Sequence, residues 1–190
     1  MGDVQCWRMW VGLLCLSVVG AGGCGGIRTT PETEDNPSGY ASEGLGKLIN
    51  DYRKANGMPA IRYSASLTAV AEAHVQDLRD EQPDEGRCNL HSWSDAGSWS
   101  SCCYTDDGSQ AQCMWDKPRE LTDYEGDGFE VAAYSSVGMT PEYALELWQS
   151  SSGHNQVLLN QGMWAQVTWN ALGVAILDGY AVAWFGQETE

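Results

Sequence analysis

The chain has 190 residues, with 10 Lys and Arg against 26 Asp and Glu, a formal charge of −16 and seven cysteines. That imbalance excludes nucleic acid as a partner, because phosphate binding needs a basic footprint, and it disfavours anionic membrane surfaces. The length left after a targeting start and a polar linker suits one core and not two.

Residues 10–19, WVGLLCLSVV, form an apolar run too short to span a bilayer, which takes about 20 residues. Gly20, Ala21, Gly22 and Gly23 follow and end at Cys24, the shape of an apolar signal-peptide core and its cleavage site. A cysteine directly after small residues resembles the bacterial lipobox, with Ala21 where Leu is usual. Residues 1–23 therefore read as a lipoprotein-type signal peptide and Cys24 as the lipid attachment point. Residues 24–44 carry Gly, Pro, Thr, Ser and acids, a flexible acidic linker. The folded domain is expected over residues 45–190. The protein is expected to be exported, as a cell-envelope lipoprotein or a secreted protein, and to meet membrane only through its N-terminal lipid.

Leu45, Leu48, Ile49 and Tyr52 recur at helical spacing, and Gly57-Met58-Pro59 stops that helix. Ser64 or Ser66 caps a second helix in which Leu67, Val70, Ala71, His74 and Leu78 share one face. His74 on that face reads as a buried, hydrogen-bonded histidine rather than a ligand. Residues 86–120 show no period and read as a long loop held by disulfides. Cys88, Cys102, Cys103 and Cys113 lie within it, an even number in an exported chain, which implies two bridges. Adjacent Cys102 and Cys103 rarely bridge each other, so two pairings remain open. A structural zinc cluster is the alternative, without any CxxC spacing to support it. Asp106-Asp107-Gly108 reads as a turn.

Thr140-Pro141-Glu142 is a helix start: a hydroxyl cap, proline at the first position and an acid in the first turn. Tyr143, Leu147 and Trp148 follow, the helix ends near residues 151–153, and a short helical stretch holds Val157 and Leu158. Residues 172–176 and 181–185, LGVAI and AVAWF, flank Asp178-Gly179 as a β-hairpin. This order of elements predicts an α+β fold with helices on a mostly antiparallel sheet.

Chemistry concentrates at His91 in LHSW, Glu130 in GDGFEVAAY and His154 in WQSSSGHNQVLLN, 39 and 24 positions apart. Imidazole nitrogen and carboxylate oxygen suit zinc, and two His with one acid match a three-ligand site with an open position. The same groups can move protons near neutral pH. Most of the tryptophans are expected in the core, with one or two at a cleft able to stack on a sugar or grip a peptide.

Over residues 45–187 the chain resembles the CAP superfamily of cysteine-rich secretory, antigen 5 and pathogenesis-related proteins, in its bacterial SCP-like branch. The carriers are the segment running from LIND to VQDL, His91-Ser92-Trp93, Gly128-Phe129-Glu130-Val131-Ala132, WQSSSGHNQVLLN, and the closing LGVAILDGYAVAWFG. The resemblance implies a three-layer α-β-α sandwich with a disulfide-stapled loop and a cleft holding His91, Glu130 and His154, with Ser151 as a neighbour. It departs from the family where the second glutamate is replaced by Ser151 and the Asn after the family's glutamate by Val131. The expected function is a cell-surface binding module with a metal-responsive cleft, zinc being the ion, for an extracellular peptide, glycan or lipid. Two other readings are a zinc-assisted hydrolase of peptides or cell-wall material, with Glu130 as general base, and a sterol or lipid binder. No residue stands in an activated-serine motif.

Overall fold

The computed structural model describes residues 37–190, so the expectations for the signal peptide and for Cys24 lie outside the described residues. Helix α1 spans Pro37–Ala55, followed by strand β1, Arg62–Tyr63, and helix α2, Ala65–Glu81. Two short helices follow, α3 (Ala111–Trp115) and α4 (Lys117–Leu121), then strand β2 (Phe129–Tyr134) and helices α5 (Pro141–Ser150) and α6 (Ser152–Leu158). A 3-10 turn at Gly162–Trp164 leads into the hairpin of β3 (Ala171–Leu177) and β4 (Tyr180–Gly186).

Two boundaries differ from expectation. Helix α1 starts at Pro37 rather than near Leu45, so the last residues assigned to the linker are helical; proline is well placed to open a helix because its missing N–H would be unpaired there. The segment 86–120 is not wholly loop either, since α3 and α4 lie in its second half. Ser64, and not Ser66, caps α2 by accepting from Leu67 N. Thr140 caps α5 in the same way, through Tyr143 N.

The strand order is β1-β3-β4-β2, with β1 parallel to β3 and the other pairs antiparallel. Alternation along each strand separates two cores. Val131, Ala133, Leu172, Val174, Ile176, Ala183 and Phe185 meet Leu45 and Ile49 of α1 and Leu145 and Trp148 of α5 on one face. Ala132, Ala175, Val182 and Trp184 meet Leu67, Val70, Ala71, Val75 and Leu78 of α2 on the other. The result is an α-β-α sandwich. Among the described residues no helix is long and apolar enough to cross a membrane.

Helix α2 lies almost on the sheet. A side-chain carbon at Gly173 would fall 2.0 Å from the backbone carbon of Leu67, so only glycine permits this approach. The disulfides are Cys88–Cys103 and Cys102–Cys113. They replace the alternative of a cysteine zinc cluster and choose one of the two open pairings.

Candidate functional site

His74, Glu130 and His91 meet at the edge of the α2-side core. Glu130 is the second residue of β2, opposite Trp184 on β4, and strand alternation turns it toward α2 while its neighbours Phe129 and Val131 face the other core. His74 Nδ1 lies 2.5 Å from Glu130 Oε1, and neither side chain is exposed to solvent. His74 Nε2 lies 3.0 Å from the carbonyl of Ser92. A carbonyl oxygen only accepts, so Nε2 carries a proton, and a second proton is shared between Nδ1 and the carboxylate. The imidazole is stacked on the Trp93 ring, with centroids 4.1 Å apart and 7° between planes.

The other carboxylate oxygen, Oε2, lies 2.7 Å from His91 Nδ1. Burial alone would push the Glu130 carboxyl up, but the two histidines outweigh it and hold it below the usual carboxylate range. As a carboxylate, Glu130 accepts from His91 Nδ1–H. In neutral His91 this fixes Nε2 as the lone-pair nitrogen.

The loop carrying His91 is held on several sides. His91 N donates to Asn89 Oδ1 at 3.1 Å, Asn89 N to the Tyr104 carbonyl at 2.8 Å, and Tyr104 N to Ser92 Oγ at 3.0 Å. Cys88–Cys103 clamps this crossing, and Trp93 and Cys102 pair beside it as a β-bridge. From α2, buried Asp77 accepts from Ser94 N at 2.8 Å and from the Ser94 hydroxyl. From α4, Lys117 Nζ donates to the Ser100 carbonyl at 2.5 Å and to Glu120 Oε2 at 2.6 Å.

Next to His91 lies a cavity of about 330 Å³, near the small end of the range for ligand pockets. Its walls include Tyr104, Met114, Trp115, Phe129 and Trp164, and His91 and Glu130 also line it. Phe129 touches both indoles, 5.6 Å from the Trp115 ring and 5.2 Å from that of Trp164. Tyr104 meets His91 edge-on at 5.2 Å, and burial together with the Glu130 charge pushes its phenol up.

His154 belongs to α6, one turn before Val157, which lines the cavity. Burial first, then the neighbouring His91, lowers its pKa, while Glu130 pulls the other way, so His154 lies within electrostatic reach of both. Ser151 is the N-cap of α6 and accepts from His154 N at 3.5 Å; its hydroxyl serves the backbone. Ser92 is buried and likewise engaged with Tyr104. Among the described residues neither serine hydroxyl bonds an imidazole.

The donor set does not match a zinc site with three protein ligands. Both oxygens of Glu130 are taken by histidines, and among the described residues no three His, Cys, Asp or Glu side chains are placed to hold a metal ion. A larger recess, about 610 Å³, lies elsewhere, lined by Asp123, Glu125, Glu188 and Glu190. No histidine lines it, so the smaller cavity is the one attached to the chemistry.

Sequence reasoning expected His91, Glu130 and His154 in one cleft, with His74 outside it as a buried structural histidine; the structure joins Glu130 to His91 and to His74. The signal available for His74 was its position among core residues of α2, which gives burial and not the partner 56 residues away. The aromatic wall from Trp115, Phe129 and Trp164 was foreseen only as one or two cleft tryptophans.

Comparison with known proteins agrees with this architecture. An extracellular protein of Bacillus anthracis containing an SCP domain is similar with a TM-score of 0.54 and 20% identity, covering 84% of this chain and 45% of that one. A cysteine-rich secretory protein of Staphylococcus aureus is similar with a TM-score of 0.53 and 16% identity, covering 86% of this chain and 45% of that one. An outer surface protein of Borrelia burgdorferi gives 0.52 and 14%, covering 77% and 92%. The chain thus spans less than half the length of the first two, and at these identities the likeness is one of fold. No curated protein matches the chain. The model of the cysteine-rich secretory protein family, CAP, matches residues 47–175. The chain therefore belongs to the CAP family of cysteine-rich secretory proteins.

Proposed function

We propose that the protein is an exported binding module, tethered by a lipid on Cys24, whose ligand site is the cavity beside His91. The observation that carries this reading is the cavity's composition: a mostly aromatic and apolar wall with one fixed imidazole at its end. Such a site orients a small molecule through one polar contact and holds it by burial of apolar surface. A hydrolase is less well supported. Glu130 lines the cavity, but its side chain is buried and both its oxygens are engaged by histidines, which argues against a general base there. The serines near the histidines serve the backbone. A metal-responsive cleft would rest on His91 Nε2 and His154 alone, with other ligands coming from the bound molecule or solvent.

The test is binding of small apolar and aromatic probes to the full oxidised chain, followed by backbone NMR shifts. Perturbations should cluster at Tyr104, Met114, Trp115, Phe129 and Trp164, and Ala111→Trp, which fills the cavity from α3, should abolish them. Perturbations elsewhere, or probes that bind the filled variant equally, would refute the reading. Tethering is tested separately by fatty-acid labelling in the exporting cell, which Cys24→Ala should remove.

A further inference from the structure

The cavity's chemistry narrows its occupant, on the reading that it is the ligand site. We infer that it takes a small organic cation: an aromatic or alkyl body carrying a protonated amine, with the amine at His91 and the body against Trp115, Phe129 and Trp164.

Three observations carry this. First, Glu130 accepts the Nδ1–H of His91 across 2.7 Å, so an uncharged His91 keeps its lone pair on Nε2. Nε2 has no hydrogen-bond partner among the described residues. His91 lines the cavity, and a hydrogen-bond donor is the partner for this nitrogen. An ammonium supplies one; a carboxylate or a carbonyl presents only acceptors.

Second, no lysine or arginine lines the cavity. An anionic headgroup would enter without a countercharge and lose its hydration uncompensated. A cation meets the faces of Trp, Phe and Tyr side chains, whose ring quadrupoles attract positive charge. Phe129 lies within 5.6 Å of the Trp115 ring and within 5.2 Å of the Trp164 ring, so the aromatic surface is continuous rather than scattered.

Third, the long-range field favours the same sign. The chain carries a formal charge of −16, and a strongly acidic protein concentrates small cations at its surface clefts. The size of the cavity, about 330 Å³, suits a single ring and a short arm better than an extended lipid.

The experiment compares three probes of one shape and different charge: 2-phenylethylamine, 2-phenylethanol and 3-phenylpropionate, titrated calorimetrically into the full oxidised chain. The amine should bind about tenfold tighter than the alcohol, and the carboxylate should be weakest. His91→Leu, which removes the Nε2 acceptor, should weaken the amine and the alcohol alike, with circular dichroism reporting its fold. Met163 stands at the cavity rim and is 81% exposed, so substitutions there spare the core. Met163→Glu should tighten the amine and Met163→Lys should weaken it. Carboxylate binding equal to or tighter than amine binding would overturn the cation assignment while leaving the cavity as the ligand site. Failure of all three probes, the neutral alcohol included, would overturn both readings.

Discussion

His74 Nδ1 lies 2.5 Å from Glu130 Oε1 where neither side chain touches solvent, and this pair couples the centre of α2 to the second residue of β2. The shared proton, the carbonyl of Ser92 on Nε2 and the stacked Trp93 ring leave His74 no unpaired polar atom. Its role is to position Glu130, which in turn orients His91. Removing one partner of such a buried pair strands the other without compensation. Glu130→Ala should cost about 3–5 kcal/mol in urea unfolding, and His74→Ala should fall in the same range. The double variant should cost much less than the sum, because the second substitution removes a group already stranded. Additive losses would show that the two residues act separately.

How much of this was legible in the sequence follows from the range of each interaction. The helical spacing of Leu45, Ile49 and Tyr52, the Thr140-Pro141-Glu142 start and the hairpin around Asp178-Gly179 are local signals, and each element formed where they point. The start of α1 at Pro37 was hidden because Gly, Ser and Glu in residues 37–44 read as linker by composition. Helices α3 and α4 were hidden in a Cys- and Trp-rich stretch where five-residue helices show no full period. The His74–Glu130 pair joins residues 56 apart, a separation that no periodicity encodes. The choice between disulfide pairings likewise depended on how the loop crosses itself at Asn89 and Tyr104.

Stability should fall in two steps as pH falls. His154 has its pKa lowered from 6.5 by burial and by His91. Glu130 is lowered from 4.5 by its histidine partners in spite of burial. A lowered pKa means that the unfolded chain binds more protons, so stability present above the unfolded value is lost as pH drops toward the folded one. The first step should begin below about pH 6.5 and the second below about pH 4.5. Protonation of the many surface carboxylates relieves repulsion over the same range, so the difference between wild type and variant is the quantity to read. His154→Gln should erase the upper step in urea midpoints and leave the lower one. A wild-type-minus-variant difference that stays flat from pH 7.5 to 5 would contradict the burial of neutral His154.

The disulfides should matter more to the cavity than to the sheet. Cys88–Cys103 closes a loop of sequence separation 15 and flanks His91 and Tyr104; Cys102–Cys113 spans 11 and ties that crossing to α3, which carries Met114 and Trp115. Constraining a loop of about 15 residues in the unfolded chain is worth about 3 kcal/mol. Cys88→Ser/Cys103→Ser should lose stability of that order and weaken probe binding. Its far-UV circular dichroism should stay close to wild type, because α2 and the four strands have their own core. Unchanged probe affinity in the double variant would mean that the hydrogen bonds of Asn89, Ser92 and Asp77 suffice to hold the wall.

Gly173 sets the height of α2 above the sheet and, through α2, the reach of His74 to Glu130. A methyl group at residue 173 would lie 2.0 Å from Leu67 C and 2.3 Å from Thr68 N, both backbone atoms that cannot rotate aside. Gly173→Ala should therefore push the helix outward and cost at least about 3 kcal/mol, the upper end for overpacking in a core. The lift should also stretch the contact between His74 and Glu130. Gly153, in the first turn of α6, is the control: nothing lies within 4 Å of an added carbon there. Gly153→Ala should be neutral or stabilise by up to about 1 kcal/mol through helix propensity. If both substitutions proved neutral, the close seating of α2 on β3 would be refuted, and with it the geometry that delivers His74 to the site.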